Sequence, residues 1–542
     1  MKFKTLLAAM LLAGAAMPAL AQTHVEGVEY YKADQLNNAR ELLERNFNNA
    51  GTDKAVADYY LGLIALRDNK PTEAAALFEK GKNENPEYGF NYVGLGELKL
   101  REGDVKEAEK LFKEGESNAK KDVAMQIAIA RAYYNVDPVA YEKQIAKRLE
   151  SARRINMKAP EIYIFEGDRY ADTKDWGNAA AQYDMAADFN PLATEAYVKY
   201  ADLFTNVNPR YAITMLKKLL SNVPDSALGQ RELAMAYYND EDYANAAAEY
   251  GKYVKNPNHF KQDEDRYAFL LFYGGKYQEG YDYATQLLSK DPSHFTARRY
   301  QFMNAAQLPA LKEQLLPMAE QLYTAHLSDK KNTFAPIDFI LISDEFNKGG
   351  KSDEAVAVLN EAMKEYPENG SFNKQLAMLC VDRNEFAAAS DAFNGYLEKT
   401  AEPGYNDYIQ AGLFAYYGAI ESKEDAAKAD RLFNLALADA EKASELLPDN
   451  YRPYKMRGDV AIQRAAKENI SSAAVADYTK AAELLEGKVE ARYANDAKAI
   501  YNYLGNHYLD VKDVPTAKTW FLKVVELDPD NTEYRNFVEN LK

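Results

Sequence analysis

Residues 160–191 read PEIYIFEGDRYADTKDWGNAAAQYDMAADFNP, and the reading of this stretch decides the fold. Apolar and small residues keep one-face helical spacing on both sides of a polar break, Asp172-Thr173-Lys174-Asp175. Two amphipathic helices joined by a turn follow from that pattern. Tyr163, Gly167, Tyr170, Ala179, Tyr183, Ala186 and Pro191 are its fixed points. Upstream the same types return at a 34-residue step, with Gly62, Ala74, Phe78 and Pro86 followed by Gly96, Ala108 and Phe112. A fixed period of this length marks a stacked helical solenoid.

Working outward, further polar breaks separate helical stretches at Asp68-Asn69-Lys70, Glu102-Gly103-Asp104, Asn239-Asp240-Glu241-Asp242 and Gly349-Gly350-Lys351. Gly, Asn and Asp end helices by offering left-handed backbone and local hydrogen bonds. No run alternates with period two, so the expected fold is all-α. Each recurring type has a physical reason. Gly and Ala let two helix axes approach, aromatics fill the space between pairs, and Pro ends the second helix.

The repeat resembles the tetratricopeptide repeat family over nearly all of residues 25–531. Tyr92, Leu95, Gly96, Ala108 and Phe112 carry it early, and Tyr501, Leu504, Gly505, Tyr508, Ala517, Phe521 and Pro529 carry it near the end. The resemblance implies a right-handed superhelical solenoid of about fourteen antiparallel helix pairs. It divides the chain into an N-terminal array (22–292), an irregular helical unit (293–332), central units (333–400), a C-terminal array (401–531) and a capping helix (532–542). Units at 123–158, 293–332 and 405–448 depart from the period, and extra residues in a solenoid map to longer helices or loops on one face. Thr400–Gly404, containing Pro403-Gly404, is the expected hinge.

Residues 1–21 read as an export signal: Lys2 and Lys4, an apolar stretch from Thr5 to Met17, and Ala19-Leu20-Ala21 before Gln22. A mature chain beginning at Gln22, placed in the periplasm or secreted, is expected. Its one cysteine, Cys380, allows no intramolecular disulfide and lies in an apolar run, as a buried small hydrophobe does. The cleavage point carries no cysteine for a lipid anchor, and no later run reaches the roughly 20 apolar residues of a membrane helix. The formal charge is -17. An acidic surface repels phosphate backbones, which argues against nucleic acid and leaves a basic or neutral partner as the easier fit.

No constellation for catalysis emerges. His24, His259, His294, His326 and His507 are scattered along the chain, and none is spaced i, i+4 from another, so each reads as a surface or packing residue and no zinc cluster is expected. Gly350-Lys351-Ser352 lacks the first glycine of a phosphate loop and follows a helical stretch, so it reads as a turn. No cofactor is expected.

The resemblance also implies where a partner would bind. In this family the first helix of each pair lines the concave groove, facing it at the position after the leading aromatic, the position after the glycine and the position four after the glycine. The position after the glycine holds Glu97, Asp168, Asp202, Asp344 and Asp459, with Leu63 among its apolar occupants, and the position four after the glycine holds Tyr31, Tyr134 and Tyr238. Tyrosine supplies rigid amphipathic contact area. Lys455 and Asn506 are the sole partial match to the carboxylate clamp of the chaperone-binding type. The expected function is a non-catalytic exported scaffold that holds a protein or extended peptide. The alternative is a glycan-binding protein like the repeat-containing receptors of nutrient uptake, weakened by only two tryptophans, Trp176 and Trp520.

Overall fold

A computed structural model describes residues 22–117, 119 and 121–541; the expected leader and its cleavage point lie outside them. The chain is an all-helical solenoid, with 29 α-helices and no strand among the described residues. No helix among these residues is long and apolar enough to cross a membrane.

One turn is used again and again to fold two helices together. Asp34, Asn69, Gly103, Lys174, Glu241, Gly275, Gly350, Asn384 and Lys512 all take left-handed backbone, with φ between 57° and 83°. In each case the next amide donates back across the turn, as Gln35 N does to Tyr30 O and Asp175 N to Tyr170 O, both at 2.9 Å. This is the Schellman closure, which satisfies carbonyls that a helix end leaves open. At four of these nine turns the next residue is an aspartate whose side chain caps the second helix, as Asp104 and Asp175 do by accepting from the amides of Glu107 and Asn178.

Two compact units divide at Pro309/Ala310. The first holds the pairs α1 (His24–Lys32) and α2 (Leu36–Asn46), α3 (Lys54–Arg67) and α4 (Pro71–Glu84), α5 (Phe90–Arg101) and α6 (Val105–Glu116), and α7 (Val123–Val136) and α8 (Glu142–Ile155). It continues with α9 (Pro160–Asp172) and α10 (Trp176–Phe189), α11 (Thr194–Phe204) and α12 (Pro209–Asn222), α13 (Ala227–Asn239) and α14 (Tyr243–Tyr253), α15 (Lys261–Tyr273) and α16 (Tyr277–Lys290), and α17 (Phe295–Ala305). Ala74, Ala108, Ala179 and Ala246 are fully buried between paired helices. Phe78 is clasped by glycines, because a β-carbon at either Gly62 or Gly94 would stand 2.4 Å from its ring.

The first unit also closes on itself. α1 packs against α11 and α13, so the row of first helices bends into a ring. Tyr30 meets Phe260 edge to face at 5.4 Å, Gln35 Nε2 donates to Glu232 at 2.6 Å, and Arg45 donates to the carbonyl of Asn258 at 2.7 Å. Asn46 and Asn258, both buried, pair at 3.1 Å.

The second unit holds α18 (Leu315–Ser328), α19 (Pro336–Lys348) and α20 (Ser352–Glu365), α21 (Ser371–Asp382) and α22 (Phe386–Lys399), and α23 (Tyr405–Glu421) and α24 (Ala426–Leu446). It ends with α25 (Arg452–Arg464) and α26 (Val475–Leu485), α27 (Ala494–Asp510) and α28 (Val514–Leu527), and α29 (Thr532–Glu539). The extra residues of 405–448 lengthen α23 to 17 and α24 to 21 residues rather than forming a loop. α22 packs directly on α23, so the chain divides at Pro309, within the irregular stretch 293–332, and not at Thr400–Gly404. Val538 of α29 is buried in one cluster with Ala517 and Phe521. Cys380 is buried.

Candidate functional site

The ring encloses a cavity of about 180 Å³, lined from α1, α3, α5, α7, α9 and α11. These are the first helices of successive pairs, whose second helices take the outside. The wall has two chemistries. Tyr31, Tyr59 and Tyr60 form an aromatic side, with ring centroids 5.0 Å apart between Tyr31 and Tyr60 and 5.1 Å between Tyr59 and Tyr60. Arg131, Asp168, Lys199 and Asp34 form a charged side.

Asp168 is the hub of that charged side. Arg131 Nη2 reaches it at 2.5 Å, Lys199 Nζ at 3.1 Å and the Tyr183 hydroxyl at 2.8 Å. Burial works against the ionised carboxyl, but Arg131 and Lys199 outweigh it and hold Asp168 below the usual carboxylate range. Lys199 also pairs with Asp34, the left-handed turn residue after α1. Its ammonium therefore links α9 and α11 to the start of the chain. Glu97, nearly fully buried, is pushed up by burial, although Arg101 at 2.7 Å and Asn135 at 3.3 Å hydrogen-bond to it.

Around this hub stand less tightly held charges. Arg67 lies 3.7 Å from Asp34 with half its side chain exposed, and Lys32 lies 3.7 Å from Glu195. Glu161 and Asn135 complete the polar wall. The lining residues include no histidine, cysteine, serine or threonine. Offset cations, carboxylates and tyrosines offer charge-assisted hydrogen bonds beside flat aromatic area.

Four of the residues picked out by groove position converge here: Tyr31, Leu63, Glu97 and Asp168. Asp202 sits on the same helix as Lys199, one turn on, and is exposed. Tyr134 turns away from the cavity, donating to Asp172 at 2.9 Å and lying under the Arg169 guanidinium. Tyr238 packs outside the lining, against Tyr243 and Phe269. In the second unit, Asp344 accepts from Gln375, and Asp459 takes Lys455 at 2.8 Å and the Tyr478 hydroxyl at 2.5 Å.

Groove register alone could have found Arg131. Leu63, Glu97 and Arg131 lie at a strict 34-residue step and all line the cavity, with Ala130 in the slot that Gly62 and Gly96 fill. Lys199 falls on the same step two periods beyond Arg131, but its meeting with Asp34 depends on ring closure, which no register records.

Residues 203–259 and 342–405 match a family model described as tetratricopeptide repeat. No curated protein matches the sequence. Among solved structures, the C-terminal part of a TPR repeat-containing protein from Cytophaga hutchinsonii is similar at 18% identity and TM-score 0.40, covering 50% of this chain and 98% of that one. PilW, a type IV pilus biogenesis factor, is similar at 18% identity and TM-score 0.27, covering 38% and 94%. Yeast Tom70 is similar at 13% identity and TM-score 0.28, covering 91% and 98%.

Proposed function

On the tetratricopeptide repeat matches at residues 203–259 and 342–405, a scaffold suited to protein interaction, we propose that the chain is a non-catalytic, exported scaffold that holds an extended segment of another protein in the cavity of its first unit. The observation that carries this reading is the composition of the cavity wall. Tyr31 and Tyr60 offer flat apolar area on one side, while Arg67 and Lys32 are held by their carboxylates only at 3.7 Å and can exchange them for groups on a ligand. A cavity of about 180 Å³ takes a few side chains or a chain end, not a folded domain. Export rests on the leader pattern of residues 1–21. The non-catalytic reading is supported by a wall without histidine, cysteine, serine or threonine.

Panning a random-peptide library against the full chain from Gln22 onward tests the reading. Enriched peptides should lose at least tenfold in affinity, about 1.4 kcal/mol, when Arg67→Glu or Tyr60→Ala is introduced. Tyr238→Ala, outside the cavity, should leave capture unchanged. Failure to enrich any peptide, or capture that survives both cavity changes, would remove the proposal.

A further inference from the structure

The second unit brings together three side chains that lie far apart along the chain. His326 of α18 and Glu361 and Glu365 of α20 each present a ligand atom within one small space, all within 4.8 Å of one another. Nε2 of His326 stands 3.7 Å from a Glu361 oxygen and 3.6 Å from a Glu365 oxygen. The two glutamates are spaced i, i+4 on one helix and so share a face. For a tetrahedral ion with bonds of about 2.1 Å, ligand atoms lie about 3.4 Å apart. The two separations from His326 need to close by only a few tenths of an ångström, and the two carboxylates lie within 4.8 Å of each other.

The surroundings hold these atoms in a ligating state. Nδ1 of His326 lies 2.6 Å from the carbonyl oxygen of Asn332, which can only accept, so Nδ1 carries the proton and Nε2 is the atom aimed at the carboxylates. The ring is fixed in plane by Phe334, stacked at 4.0 Å, and edge-on by Phe339 at 5.6 Å. Asn332 is itself anchored through its amide to Ala325 O at 2.7 Å. On the opposite side, the Tyr323 hydroxyl donates to one oxygen of Glu361 at 2.6 Å, while the other oxygen faces His326. An imidazole whose second nitrogen donates to a backbone carbonyl, beside a carboxylate oriented by a hydroxyl, is the outer-shell arrangement that metal ligands carry. Burial falls from His326, which is buried, through Glu361 to Glu365, which is exposed, so solvent reaches the site from the Glu365 side.

We propose that His326, Glu361 and Glu365 form a site for one divalent transition-metal ion of the zinc type. Imidazole with two carboxylates suits Zn²⁺ or Co²⁺, whereas Mg²⁺ prefers an all-oxygen octahedron. The ion pins α18 and the segment after it to α20, with its fourth position open to water. The interpretation is independent of the cavity in the first unit.

The test uses the metal-stripped full chain from Gln22 onward and zinc chloride, with uptake followed by isothermal titration and by elemental analysis after gel filtration. One zinc per chain is expected, with a raised melting temperature and no competition from excess Mg²⁺. Glu365→Gln and His326→Gln should each weaken binding at least tenfold, and Tyr323→Phe should weaken it roughly tenfold while keeping the stoichiometry. His294→Gln, which alters another histidine beside a carboxylate, should change nothing. Circular dichroism reports whether His326→Gln folds; if it does not, Glu365→Gln decides, because its side chain lies at the exposed edge. No stoichiometric uptake, or uptake that survives Glu365→Gln, would overturn the assignment.

Discussion

Phe78 shows how single residues set this fold. Its ring occupies the space that β-carbons of Gly62 and Gly94 would need, so one aromatic locks two first helices against its own. Gly62→Ala should therefore destabilise the first unit by about 1–3 kcal/mol through overpacking. Gly177, at the start of α10, has nothing within 4 Å of where a β-carbon would go. Gly177→Ala should instead stabilise by about 0.5–1 kcal/mol, by restricting the unfolded chain. Urea midpoints of the two variants should move in opposite directions; a shared sign would show that glycine spacing is not steric here. These packing residues were legible in the sequence, because the same clash recurs at Gly96 with Phe112, Gly167 with Tyr183 and Gly505 with Phe521. Arg131 was legible in principle through its 34-residue register with Glu97. The pairing of Lys199 was not, since its partner is Asp34, 165 residues away.

At the scale of elements, the turn inside four of the pairs does two jobs with neighbouring residues. A left-handed residue closes the first helix, and the next side chain opens the second. Asp104 accepts from Glu107 N at 3.0 Å and so satisfies one of the free amides of α6. Asp104→Ala should cost about 1 kcal/mol, measured as a fall in the urea midpoint of the full chain, while Asp104→Asn should cost less. Such turns were readable as polar tokens, because their chemistry is local. The extra residues of 405–448 were not assignable to helix or loop from the period alone. They became two long helices because α23 and α24 bury matching small faces, Gly412, Ala415 and Ala419 against Ala436, Ala440 and Ala443. Likewise the histidines read as isolated along the chain. His326 meets Glu361 and Glu365 only because α18 packs against α19 and α19 against α20.

On the scale of the whole first unit, the decisive event is closure of α1 onto α11 and α13. That seam is crowded with carboxyls. Glu29 is pushed up to about 7, first by burial and then by Glu26 and Glu195, with Lys32 opposing. The folded chain thus holds a proton that the unfolded chain releases near the ordinary glutamate value. Its contribution to stability is full below that value and is lost as the pH rises through about 7. Unfolding of the first unit should be easier at about pH 8 than at about pH 6. Glu29→Gln should flatten that dependence and stabilise the chain on the alkaline side. Urea titrations at the two pH values, with amide exchange in α1 as a local probe, check this; a variant with the native pH slope would exclude Glu29 as its source. By itself the sequence determined the helix pairs, their turns and the packing of each pair on the next, since those contacts lie within about one period of the chain and repeat. Only the tertiary structure decided that the first helices form a ring around a charged cavity, and that His326 lies beside two glutamates. Both depend on small rotations between neighbouring pairs that add up over many repeats, and no single period of the sequence records their sum.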